Sequence, residues 1–139
     1  MLLILILCSH TLQSYCQDFC TKLDSLEKAQ SWTELVYRAT LNINSKTQCD
    51  MAFFSRGLAK ARLDDFRGST ADLKIYLQKL EGFRLDDEKR IYTLYEGPAY
   101  WIIGLNYIKI GDKESGCLHL STAGEKGSDV YNDIRKFCH

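Results

Sequence analysis

The sequence predicts an all-α protein built from paired helices, and three observations predict it. Apolar residues recur at helical spacing along most of the chain. Alternating runs that would read as strands are short and lack Gly/Asn hairpin pairs. The stretch from Ala52 to Phe66 is echoed, position by position, from Ala99 to Lys113. Composition fits this reading. The 139 residues are 45% hydrophobic and 26% charged with a single Pro, which favours one folded domain over disorder or collagen-like sequence. Eighteen basic and eighteen acidic residues cancel, so there is no cationic surplus of the kind general nucleic-acid binding needs.

The chain opens on a different kind of segment. Met1 to Cys16 holds no Asp, Glu, Lys or Arg, and Leu2 to Leu7 is an unbroken aliphatic run. Ser14-Tyr15-Cys16 places small residues three positions and one position before Gln17, the small-x-small pattern of a signal-peptidase site. The apolar run is far short of the roughly 20 residues that span a bilayer. We therefore expect residues 1–16 to be an export signal, cut before Gln17, with 17–139 as the helical domain. The expected location is periplasmic or secreted, with no stable membrane span after cleavage.

The helices follow in order. Phe19, Leu23 and Leu26 are spaced by four and three. Ser31, with Glu34 three residues on, reads as a capping box for a helix carrying Trp32, Leu35, Ala39 and Ile43. Asn44 to Thr47 is a break. A helix from about Cys49 to Leu63 ends in the turn Leu63-Asp64-Asp65-Phe66, and a second from about Arg67 to Leu80 has Leu73, Tyr76, Leu77 and Leu80 as its apolar face. Glu81 to Pro98 is the least regular stretch, with a short helix expected around Asp87 to Leu94. Pro98 suits the first turn of the next helix, Ala99 to Ile110. Gly111-Asp112 turns the chain into a helix from Glu114 to Ala123, Gly124 and Gly127 are stop signals, and Ser128 is the expected cap of a final helix through Phe137.

Loss of the signal leaves Cys20, Cys49, Cys117 and Cys138. An even number in an exported chain suggests disulfides, and four cysteines allow three connectivities. There is no CxxC pair and no Cys–His spacing of a zinc site, so no metal is expected. Catalysis is not expected either. His119 sits where an exposed polar residue is usual, His139 is terminal, and no GxSxG, HExxH or phosphate-cradling Gly loop is present. Asp64-Asp65 reads as a turn. Asp86-Asp87-Glu88 suits a helix N-terminus, where negative charge meets the dipole.

The internal echo is specific. Ala52 and Ala99 lie five residues before Gly57 and Gly104, and Phe53 and Tyr100 lie four before. Leu58 and Leu105 follow each Gly directly, Asp65 and Asp112 lie eight beyond, and Leu73 and Leu120 sixteen beyond. In these residues the chain resembles the tetratricopeptide repeat (TPR) family. Gly57 and Gly104 match the family's first-helix Gly, and Ser69 and Gly116 match the small residue on the second helix. Phe66 matches the turn aromatic, from which Lys113 departs. Ala123 matches the later Ala, from which Tyr76 departs, and Asp64 replaces the turn Gly that Gly111 keeps. A step of 34 back from Gly57 reaches Leu23, which makes Gln17 to Ser45 a degenerate first repeat. The two glycines lie 47 apart, so about 13 extra residues separate the second and third repeats. Ser128 to Cys138 resembles the capping helix of such arrays, and the end of the chain is similar to small exported bacterial TPR proteins.

The resemblance implies a TPR-like helix-hairpin solenoid of two to three repeats plus a C-terminal capping helix. It implies a Cys117–Cys138 disulfide that pins the cap, and leaves Cys20 with Cys49 on neighbouring first helices. It implies a non-enzymatic interaction module, without cofactor, that binds a peptide or protein segment in a concave groove. Phe54, Leu58, Ala61 and Arg62 would line that groove in the second repeat, and Trp101, Leu105, Ile108 and Lys109 in the third. The basic-and-Asn carboxylate clamp of some TPR domains is not reproduced. Two other readings stand beside this one: an assembly component whose groove is filled by its own chain, and a small hydrolase built on the acidic loop.

Overall fold

The computed structural model describes residues 21–45, 49–84 and 90–139, and every regular element among them is helical. The expected signal segment, Cys20, part of the break after Ser45 and the acidic run Asp86-Asp87-Glu88 lie outside the described residues. In chain order the elements are α1 (residues 21–28), α2 (Trp32–Ile43), α3 (Met51–Arg62), α4 (Phe66–Arg84), a 3-10 helix (Arg90–Tyr95), α5 (Glu96–Lys109), α6 (Lys113–Glu125) and α7 (Tyr131–Phe137). Packing is sequential: α3 lies against α2 and α4, α5 against α4 and α6, and α7 against α6.

Four helix ends close in the same way. Before α2, α4, α6 and α7 the chain passes through one left-handed residue: Gln30 (φ 54°), Asp64 (φ 62°), Gly111 (φ 89°) and Gly127 (φ 88°). At each, that residue's N–H donates to the carbonyl three back and the next N–H to the carbonyl five back. Asp64 bonds to Ala61 and Asp65 to Lys60, Gly111 to Ile108 and Asp112 to Tyr107, Gln30 to Glu27 and Ser31 to Leu26. This Schellman pairing satisfies carbonyls that a helix end leaves free. Asp65 and Asp112 then cap the following helices, accepting from the Gly68 and Ser115 N–H groups at 2.9 and 3.0 Å. Hydrogen bonds from the Ser115 hydroxyl first, and from its N–H, hold the Asp112 carboxyl below its ordinary pKa.

The two repeat glycines stand in like surroundings. A Cβ built on Gly57 would lie 2.7 Å from Leu73 Cγ and 3.2 Å from the Ser69 carbonyl, and one on Gly104 would lie 2.9 Å from Leu120 Cγ and 3.0 Å from the Gly116 carbonyl. Both helix pairs therefore approach more closely than a methyl group allows. Each hairpin buries its apolar stripe against its neighbours. Leu23, Leu35, Ala39, Ala52 and Ala59 fill the first interface. Phe53, Phe54, Leu58, Leu73, Tyr76, Leu80, Phe83 and Ile103 are among those that fill the second. Leu120, Ala123 and Val130 fill the third.

Several boundaries depart from expectation, each for a local reason. Ser31 makes no side-chain cap bond. Its N–H serves the preceding turn, and Glu34 pairs with Arg38 at 2.6 Å instead. The fourth helix runs on to Arg84 because Phe83 is buried against Tyr76 and Tyr92. Among the described residues of the irregular stretch the chain forms a 3-10 helix between α4 and α5, and α5 starts at Glu96, leaving Pro98 in its first turn. Gly124 does not stop α6; the left-handed Gly127 does. Ser128 belongs to that turn, its N–H bonded to Ala123, and Val130 occupies the N-cap position of α7.

Cys117 and Cys138 are disulfide-bonded with their Cα atoms 5.6 Å apart, tying α7 to α6 as the repeat register implied. Cys49 is fully buried and also disulfide-bonded; Cys20, its expected partner, lies outside the described residues. Among the described residues no helix is long and apolar enough to cross a membrane.

Candidate functional site

Six of the eight expected groove residues fall into three environments, and the other two, Ala61 and Ile108, are half-buried. Phe54 and Leu58 are 6% and 9% exposed. Phe54 lies under the 3-10 helix, its ring 5.1 Å from Tyr95 and 5.3 Å from Tyr76. Trp101 and Leu105 are half-buried on α5 beside α7. The Trp101 indole N–H donates to Asp133 Oδ2 of α7 at 2.8 Å, and Leu105 packs on the Leu120–Ala123–Val130 cluster. Arg62 and Lys109 are exposed, each in the last turn of its helix, where a cation meets the negative end of the dipole.

Arg62 lines a cavity. Its volume is about 450 Å³, and its other walls are Asp24, Glu27 and Lys28 of α1, Gln30 of the turn, and Trp32 at the start of α2. The sequence builds this wall simply. Positions 24, 27 and 28 share one side of a helix, the left-handed Gln30 ends that helix, and Trp32 returns beside it. The Arg62 guanidinium lies over the Trp32 ring, 5.6 Å from its centroid, and has no hydrogen-bond or ion-pair partner among the described residues. Asp24 and Lys28 form an exposed pair at 2.6 Å. Burial pushes the Glu27 carboxyl above its ordinary pKa, and Asp24 pushes the same way, while Arg62 and Lys28 pull it back.

Of the cavity walls, the repeat register assigns only Arg62 to the expected groove, and Trp32 reads in the sequence as an apolar helix residue. The missing signal was in hand: a step of 34 back from Leu58, Ala61 and Arg62 reaches Asp24, Glu27 and Lys28.

Two buried polar clusters carry no signature in the sequence. Asp72 is 3% exposed and held by both forks of Arg56 at 2.6 and 2.8 Å and by Lys60 at 2.9 Å; Arg56 also donates to Thr40 Oγ1 of α2. Asn106 is 2% exposed, and its amide donates to Ser69 Oγ at 2.9 Å and Thr70 Oγ1 at 3.2 Å, joining α5 to α4. These are structural ties: every partner is supplied within the fold. His119 is half-buried rather than exposed. Its Nδ1–H donates to the Ser115 carbonyl at 2.8 Å, and its ring lies tilted against Tyr107 with centroids 5.1 Å apart. Among the described residues no group of three or more His, Cys, Asp or Glu is placed to hold a metal.

No family model, no curated protein and no solved structure matches the chain.

Proposed function

We propose that this chain is an exported, non-enzymatic TPR-like module that binds an extended segment of another protein. One observation carries the repeat reading. The turn at Gln30 recurs 34 residues later at Asp64 and again at Gly111, with the same pair of backbone hydrogen bonds each time. Three stacked hairpins then present their first helices side by side, which is the arrangement by which TPR proteins form a binding face. The cavity at the α1 end supports placing the contact there. It joins an uncommitted Arg fork, an aromatic face and a carboxylate in one recess, a mixture suited to anchoring polar and aromatic side chains.

Crosslinked capture from envelope extracts tests this. Wild type should retain a partner that Arg62→Ala with Trp32→Ala loses and Lys109→Ala keeps. Recovery of a chain beginning at Gln17 from the same extracts checks export. The second reading, an assembly component with a self-filled groove, is favoured by Tyr95 over Phe54 and by Asp133 on Trp101. A partner set indifferent to the cavity variant would favour it.

A further inference from the structure

We infer that the Cys117–Cys138 bond is a thiol-operated latch that holds α7 on the stack. The final helix has seven residues, none of them buried. So short a helix does not persist on its own, because nucleation costs more than a few hydrogen bonds return. Three ties hold it. Asp133 accepts from the Trp101 indole, Ile134 packs on the Leu120–Ala123–Val130 cluster, and Cys138, directly after the helix, is bonded to Cys117. Val130, 5% exposed, anchors the entry to α7 and stays attached through the Gly127 turn. The disulfide is thus the one covalent restraint on the far end of the helix.

Cys117 and Cys138 are both partly exposed, whereas the Cys49 sulfur is fully buried. A thiolate needs a path to a sulfur, and both sulfurs of the α6–α7 bond offer one to a small dithiol or a dithiol oxidoreductase, whereas Cys49 offers none. One thiolate of the reductant attacks a sulfur of the bond and displaces the other as a thiolate, giving a mixed disulfide. The second thiolate of the reductant then closes on the first. The reductant leaves as its disulfide, and Cys117 and Cys138 take up two electrons and two protons as free thiols. The end of α7 comes away, uncovering Trp101 and the Leu120 cluster. The reverse exchange with an oxidised disulfide oxidoreductase restores the bond: its disulfide takes the two electrons and two protons from Cys117 and Cys138 and leaves as the dithiol.

Dithiothreitol titration with alkylation and mass spectrometry tests the order of opening, in a Trp32→Phe background where Trp101 alone fluoresces. Cys117 and Cys138 should be alkylated at lower reductant than Cys49. As they open, acrylamide quenching of Trp101 should rise about twofold and amide exchange across Tyr131–Phe137 by about tenfold or more, with α3 and α4 unchanged. The Cys117→Ser, Cys138→Ser double variant should show the open behaviour without reductant and keep its helical circular dichroism. Simultaneous opening of Cys49, an opened bond with Trp101 and α7 unmoved, or loss of the whole helical signal in the double variant would each overturn the latch. None of these readouts depends on binding at the Arg62 cavity, so failure of that reading leaves this one standing.

Discussion

The second and third hairpins share a backbone and differ in what they hold at the same places. With the 47-residue step between Gly57 and Gly104, Phe53, Arg56, Lys60 and Asp72 correspond to Tyr100, Ile103, Tyr107 and His119. In α3–α4 that set is a buried carboxylate gripped by two cations. In α5–α6 it is a histidine between two tyrosine rings, 5.1 Å from Tyr107 and 6.1 Å from Tyr100. The turn, the cap and the close glycine contact are the same in both. Backbone geometry therefore specifies the hairpin, and two different chemistries fill the space it leaves. His119 tolerates rings because its Nδ1–H is satisfied within its own helix. Asp72 has no such internal partner and is stable there only with Arg56 and Lys60 beside it.

The largest test of this contrast is Asp72→Ala. It leaves Arg56 and Lys60 largely buried without a counter-charge, and a loss of about 3–5 kcal/mol is expected by urea unfolding. No comparable loss follows from His119→Ala, which strands no charge. Next is Asn106→Ala, which gives the third hairpin the residue Ala59 supplies in the second. It should cost about 1–3 kcal/mol, because Ser69 and Thr70 lose their shared donor in a dry interface. A smaller value would mean that α4 and α5 meet through apolar packing alone. The smallest effect probes what the hairpins share. Asp65→Ala should cost about 1 kcal/mol through the lost α4 cap. Asp112→Ala should speed exchange of the Ser115 amide in the same way, and unequal fraying would show that the two turns are not equivalent.

How far the sequence reveals this architecture depends on the range of the interaction. Helices, the Gly57–Gly104 equivalence and the Asp64 turn are local or periodic, and the spacing exposes them. Asp64 could take the place of Gly111 because Asp tolerates the left-handed region better than most residues. The Asp72 and Asn106 clusters join residues 16 and 37 apart with no repeating pattern, so nothing local announces them. Ser31 had the spacing of a capping box, yet Glu34 found Arg38, a nearer partner on its own helix. Of the cavity walls, Arg62 is legible because the repeat spacing sets it apart as an exposed cation at the end of its helix. The burial of Phe54 was not, since Tyr95 arrives from the irregular stretch that no repeat describes.

One tyrosine carries a consequence of its own. Tyr76 is fully buried, ringed by Phe54 and Phe83, and its hydroxyl donates to the Tyr92 carbonyl. Burial raises its pKa far above that of a free phenol. The unfolded chain can ionise this group in alkali while the native chain cannot. Its contribution to the native state is therefore complete below the free-phenol range and shrinks steadily as the solution becomes more basic. Alkali attacks the protein at its centre, through a single phenol that must leave the core before it can become phenolate.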